Sequence, residues 1–235
     1  MKKVLLVIIV ILIVVGCATV AGAFWRTKEG SGPMPSGEPT ARPAGEGWVD
    51  LLDAEHVAAW RNITDENKIF AIEDGVLHVF GSPSRPLRYV GYSAEPLRDF
   101  ELHLEFKVAP KGNSGVFLRT QGKKTLERGF EVQVQDDHGE QPTRNTSGAI
   151  YDVATPMFNM SRPAGDWNSL DIRAQGQEVE ITMNGWRVIY TDLSKMTMPI
   201  GKFDHAYADL PLEGLLAFQD HYTEAWYRNI LVKKL

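Results

Sequence analysis

The stretch Phe100–Val108, FELHLEFKV, limits the fold more than any other part of this chain. Phe100, Leu102, Leu104, Phe106 and Val108 alternate with Glu101, His103, Glu105 and Lys107. A period of two puts every apolar group on one face of an extended strand, whereas helical spacing would scatter them around a cylinder. The same alternation runs through EVEITMNGWRVIYTD, on both sides of Asn184-Gly185. That dipeptide accepts the positive φ angles of a tight type I′ turn and so predicts a hairpin. A second turn is expected at Asp74-Gly75, and further strands at SGVFLRT, GFEVQVQ, SGAIYDV, WNSLDIRAQ, GLLAFQD and WYRNILVKKL. Only DAEHVAAW and LSKM read as helical turns. Ten or so short strands in one open sheet would leave an apolar face uncovered, so the expected fold is all-β, a sandwich of two antiparallel sheets.

Lys2 and Lys3 precede the apolar run Val4–Val15, which ends at Gly16-Cys17. The layout VVGC resembles the lipobox of a bacterial lipoprotein signal, in which Cys17 becomes the lipidated first residue. The alternative is a single transmembrane anchor, since ATVAGAFW extends the apolar character to Trp25. Either reading puts the rest of the chain in the cell envelope, held at a membrane and facing the periplasm or exterior. Cys17 is the only cysteine, so a disulfide, a thiolate zinc cluster and a cysteine nucleophile are all excluded. Residues 1–17 are therefore read as signal, 18–47 as a Gly/Pro-rich flexible tether, and 48–235 as one folded domain. A net charge of −5 without a basic cluster argues against a nucleic-acid partner.

Within GFEVQVQDDHG, alternation sends Phe130, Val132 and Val134 into the core and leaves Glu131, Gln133 and Gln135 on the opposite face. Three long acceptor-bearing side chains in a row suit a face that binds hydroxyl groups, although a solvated polar face reads the same way. Tyr151 alternates with Ile150 and is expected on the polar face. Trp167, beside Asn168, is a candidate to stack on a sugar or a core residue. No resident cofactor or metal is expected, but Asp136, Asp137 and His138 form a possible divalent-cation set.

The ordered set GWVDLLD, IEDGVLHV, DFELHLEFKVAPKGNSGVFLRT, GFEVQVQDD, SGAIYDV, RPAGDWNSLDIRAQG, MNGWRV and LLAFQDHYTEAWYRNILVKKL resembles the bacterial 3-keto-disaccharide hydrolase family from Trp48 onward. The resemblance implies a concanavalin-like jelly roll and an oligosaccharide or glycoside substrate whose C3 hydroxyl has become a ketone. A ketone at C3 acidifies the C2 hydrogen, so a base can remove it, the enolate can expel the C1 substituent, and water can add back. Such chemistry needs a base, a group steadying the C3 oxygen, and an acid for the leaving group. On that reading Glu131 is the base, because partial burial makes a carboxylate a better proton acceptor. Arg119 and His221 are candidates for steadying the enolate, and Asp136 or Asp220 for the acid. Asn113, Gln133, Gln135 and Gln219 are candidates for holding hydroxyls. Two alternatives stand beside it, a non-catalytic carbohydrate-binding module and a retaining glucanase. The glucanase pattern E-x-D-x-E is broken here, since Gln133 occupies the middle acid position, leaving Glu131 and Asp136 as the pair.

The lipobox reading is tested by labelling with palmitate in a bacterial host. The wild-type chain is expected to take up label and Cys17→Ser to take up none; equal labelling of both would favour the transmembrane anchor.

Overall fold

A computed structural model describes residues 37–64, 68–81, 87–122, 128–201 and 203–235. The expected signal, Cys17, the transmembrane alternative and most of the tether lie outside the described residues. Thirteen strands are present among those described: β1 (Trp48–Asp50), β2 (Trp60–Asn62), β3 (Phe70–Glu73), β4 (Val76–Val79), β5 (Arg88–Leu97), β6 (Phe100–Val108), β7 (Asn113–Thr120), β8 (Phe130–Gln135), β9 (Asn168–Gln175), β10 (Glu178–Met183), β11 (Trp186–Asp192), β12 (Gly214–Asp220) and β13 (Ala225–Lys234). They form two antiparallel sheets packed face to face in a jelly roll. The larger runs β11-β10-β9-β6-β13-β4-β3, with β1 on β13; the smaller runs β2-β5-β12-β7-β8.

The alternation read from the sequence sets the faces. Phe100, Leu102, Leu104, Phe106 and Val108 of β6 are all buried between the sheets, as are Phe130, Val132 and Val134 of β8. Asn184 and Gly185 both hold positive φ, 47° and 80°, and close the β10–β11 hairpin; Asp74 and Gly75 do the same between β3 and β4. Short 3-10 turns fall at Val57–Ala59 and Leu193–Lys195, inside the two segments read as helical. The expected strand at SGAIYDV is reduced to bridges, Ile150 pairing with Val132 and with Ala154. The chain turns back there after only a few residues. It still donates Tyr151 N–H to Glu131 O, so it covers the free edge of β8.

Across the core, Trp60 of β2 stacks on Phe218 of β12, and Phe218 stacks on Tyr227 of β13 with centroids 3.8 Å apart. Tyr227 thereby bridges the sheets, and its hydroxyl meets Ser114 Oγ of β7 at 2.6 Å.

Residues 37–47 carry almost no regular structure but are docked on the larger sheet. The Thr40 hydroxyl donates to Asp171 Oδ2 at 2.7 Å, and its N–H donates to Ser169 Oγ at 2.8 Å. Glu38 pairs with Arg162, and Arg42 with Asp50. The packed unit therefore begins at least as early as Gly37, ahead of the expected boundary at Trp48; the Gly/Pro composition that marks a tether says nothing about hydrogen bonds to a sheet it passes over. Beneath Thr40, the Nδ1 of fully buried His103 lies 2.6 Å from Asp171 Oδ1. Removing the Thr40 hydroxyl in Thr40→Val should cost about 1 kcal/mol, and a chain starting at Trp48 should lose more. Urea unfolding of the three forms checks this; equal midpoints would mean the docked segment contributes nothing.

Candidate active site

The outer face of the smaller sheet carries an unusual combination, polar side chains that are withdrawn from water. Glu131 is 8% exposed, Gln133 2% and Gln219 5%, which excludes a solvated strand face. Register explains how they meet. Gly115 of β7 pairs with Gln133 of β8, and Phe117 pairs with Glu131 on one side and Ala217 of β12 on the other. Gly115 thus leaves a gap in the middle of three strands. Glu131 leans into that gap, since a Cβ built on Gly115 would lie 2.1 Å from Glu131 Oε1. Tyr89 of β5 and Phe117 meet edge to face at 5.1 Å and form an apolar wall beside the carboxylate, the Tyr89 hydroxyl accepting from Gln219 Nε2.

A chain of amides runs along β8 from this point. Gln133 Nε2 donates to Asn113 Oδ1 and to Gln135 Oε1, and Gln135 Nε2 donates to Asp137 Oδ2 and to Asn145 O. Asp137 Oδ2 also accepts the Ser147 N–H at 2.6 Å. Thr223 clamps Asn113 from the other side, its hydroxyl taking the Asn113 N–H and donating to Asn113 O. Below the face, Ser114 Oγ donates to Gln219 O. The single Ser114 proton being used there, the Tyr227 hydroxyl must donate to Ser114. Burial holds that phenol protonated far above its usual range, with the charge of Glu131 adding. Burial, and again the Glu131 charge, raises Tyr207 likewise.

The structure brings together Glu131, Gln133, Gln135, Asn113 and Gln219, with the Tyr151 backbone beside Glu131. His221 follows Gln219 by two residues at the strand end, half-buried, its ring against Tyr222. Asp220 is buried, and its Oδ1 takes the Tyr222 N–H, which caps the turn. Other candidates lie elsewhere. Arg119 has φ of 56°, and its buried guanidinium donates to Arg98 O and Gly176 O with Asp99 at 3.5 Å. Desolvation lowers its pKa while Asp99 opposes the change. Its hydrogen-bonding is spent on tying two turns together, not on a ligand. Asp136 Oδ2 takes the Lys111 N–H in a turn, so a Glu131–Asp136 glucanase pair is not assembled. His138 bonds Ser161 O, so the Asp136, Asp137 and His138 side chains diverge; among the described residues no acidic, histidine or cysteine cluster suits a metal. Trp167 lies over Arg228 at 4.0 Å and Lys107 at 5.0 Å, on the outer face of the larger sheet. Gly115, Tyr89, Phe117 and Thr223 were not singled out from the sequence, and Asp137 only as a member of a cation set. Only Gly115, inside NSG, carried a local signal, and turn chemistry explained it equally well.

With this geometry in hand, comparison with known proteins is informative. Residues 47–233 match the 3-keto-alpha-glucoside-1,2-lyase-like domain family. The chain belongs to that family. A 3-keto-disaccharide hydrolase of Bacteroides thetaiotaomicron is 25% identical to it over 81% of this chain and 79% of that protein. Among solved structures, a candidate glycosyl hydrolase of Parabacteroides distasonis superposes with a TM-score of 0.68 at 25% identity, covering 80% of this chain and 99% of that one. A Bacillus subtilis protein with a galectin-like fold superposes with a TM-score of 0.54 at 13% identity, over 83% and 97% of the two chains. Membership in the 3-keto-glucoside lyase-like family places the chain among carbohydrate-active proteins.

For Arg119 the expected consequence is structural. Arg119→Lys keeps the charge but cannot reach two separate carbonyls in the same fork geometry, and should lower stability by about 2 kcal/mol. Calorimetry would show a lower melting midpoint. A normal midpoint with a selective loss of turnover would return Arg119 to the chemistry.

Proposed function

We propose that this protein cleaves glycosides whose C3 carbon is a ketone, by elimination across C1 and C2 followed by addition of water. What carries the reading is the Glu131 carboxylate, buried over the Gly115 gap and ringed by Gln133, Gln219 and the Tyr89–Phe117 wall. The name of the Bacteroides relative supports the substrate class.

In the first step Glu131 takes the proton from C2, and the electron pair moves into a C2–C3 enolate. Asn113, whose Oδ1 is held by Gln133, has its amide N–H groups directed elsewhere and is placed to donate to the C3 oxygen, the role first considered for Arg119. The enolate then re-forms the ketone, the C1–O bond breaks, and the leaving oxygen takes a proton, for which His221 is the nearby donor group. This leaves a C1=C2 double bond conjugated with the ketone. Water adds its hydroxyl to C1 and gives its remaining proton back to His221, and Glu131 returns its proton to C2. Net consumption is one water per glycosidic bond. Stopping after the elimination makes the same site a lyase. Gln133 and Gln219 hold ring hydroxyls, and the apolar wall faces the sugar ring. With lipid on Cys17 the site would work at the cell-envelope membrane.

Glu131→Gln keeps shape and hydrogen-bonding reach but cannot accept the proton. Its turnover on a 3-keto-glucoside is expected to fall on the order of 10² to 10⁴ while binding survives. Deuterium exchange at C2 in heavy water reads the proton step alone. Undiminished exchange in Glu131→Gln removes Glu131 from the mechanism. Binding without exchange or cleavage by any form would leave a carbohydrate-binding module.

A further inference from the structure

The amides beside Glu131 are held in one orientation, and the source of that order lies outside the part of the face that meets a ligand. The nitrogen of Gln135 sits between Asp137 Oδ2 at 3.2 Å and Asn145 O at 2.9 Å. A backbone carbonyl and an ionised carboxylate only accept, so the Gln135 amide must present both its hydrogens there. Its oxygen therefore points at Gln133, which must answer with nitrogen, at 3.2 Å. The second Gln133 hydrogen goes to Asn113 Oδ1 at 3.0 Å. Each orientation dictates the next. At the end of the relay Gln133 has only its carbonyl oxygen to offer and Asn113 only its N–H groups.

We propose that Gln135 is a positioning residue which, locked by Asp137 and the Asn145 carbonyl, fixes Gln133 as an acceptor and Asn113 as a donor, so that the site reads a hydroxyl beside a carbonyl oxygen. The substrate class rests on the function proposed above; the relay itself does not. Gln135 first reads as a residue that holds sugar hydroxyls. Both its hydrogens and its carbonyl are engaged within the protein, so it acts through Gln133. An adjacent acceptor and donor complement an α-hydroxy ketone, whose hydroxyl gives a hydrogen bond and whose carbonyl can only take one. Two neighbouring hydroxyls would fit either polarity of the amide pair, but a ketone fits only the polarity that places Asn113 N–H groups against it. The carboxylate at position 137 is a charged acceptor that, with the Asn145 carbonyl, can only receive the Gln135 hydrogens, and an amide there would be a weaker, neutral one. Thr223 holds the far end, fixing the Asn113 backbone while leaving its amide to Gln133.

The test is a double-mutant cycle of Gln135→Met and Asp137→Asn, built in the Glu131→Gln form so that methyl 3-keto-glucoside is bound without being consumed. Gln135→Met preserves side-chain volume and deletes the relay. It should weaken binding about tenfold, a loss of one well-placed hydrogen bond, with a melting midpoint close to that of the parent. Asp137→Asn should cost binding in the parent and nothing further once Gln135 is Met. In parallel, side-chain amide NMR should show the Gln133 hydrogens protected from solvent exchange in the parent and unprotected in Gln135→Met. Equal losses from Asp137→Asn in both backgrounds, or Gln133 protection that survives Gln135→Met, overturns the proposal. If the parent binds no 3-keto-glucoside, the substrate class fails, and the amide exchange still decides whether the relay exists.

Discussion

Tyr227 is where the two sheets are fixed to each other. It belongs to β13 in the larger sheet, yet its ring stacks on Phe218 of β12 and its hydroxyl donates to Ser114 of β7, both in the smaller sheet. Apolar packing alone tolerates sliding, because dispersion and hydrophobic burial have little directional preference. A buried hydroxyl has no such freedom, since leaving it unpaired costs about 1–3 kcal/mol. Ser114 passes the constraint on to Gln219 O, so β7, β12 and β13 are locked at one level. That level is where Gly115 and Gln219 flank Glu131 and Gln133. The site inherits its geometry from a contact in the core directly beneath it.

Withdrawing a carboxylate and several amides from water is expensive unless each finds partners. Here the amides partner one another along β8 and end on Asp137, while Gly115 supplies the room for Glu131. An alanine there would put its Cβ on the carboxylate oxygen. The glycine therefore serves a close approach rather than a turn, at some cost in strand propensity. A bed of this kind is preorganised, since its dipoles are oriented before a ligand arrives.

The fold was legible because its signals are local. Alternation in Phe100–Val108 and Phe130–Gln135, and the Asn184-Gly185 turn, state which residues face inward and where the chain reverses. The carboxylate on the polar face of β8 was legible for the same reason. Arg119 was misplaced because it sits at a register shift between β7 and β12 with positive φ, where counting by twos stops giving the face. Asp136 and Asp137 lie just past the end of β8, where parity again fails, and it is Asp137 that joins the amides. Trp167 reads as either a sugar-stacking or a core residue by type, but which sheet a side chain decorates depends on strand order, and β9, which it precedes, lies in the larger one. Tyr89, Phe117 and Gln219 become neighbours only through the β5-β12-β7 pairing, which no local pattern encodes.

The two outer faces differ in a way that singles out one of them as the candidate site. On the larger sheet, polar side chains mostly exhaust one another. Glu105 takes Arg228 and Asn229, Lys107 lies against Trp226 and Trp167, and Asp171 takes His103 and Thr40. Such a face is stabilised as it stands and gains little from a ligand. On the smaller sheet the same accounting leaves a remainder, the Gln133 carbonyl and the Asn113 amide hydrogens, which the relay orients but does not consume. Oriented, unspent groups next to a buried carboxylate and an aromatic wall are what a sugar requires, hydroxyls meeting the polar edge and the ring face meeting Phe117 and Tyr89. The asymmetry arises from Gly115: with no side chain on β7 at that position, the Glu131 carboxylate occupies the space between Gln133 and Gln219 and keeps the two amides from satisfying each other.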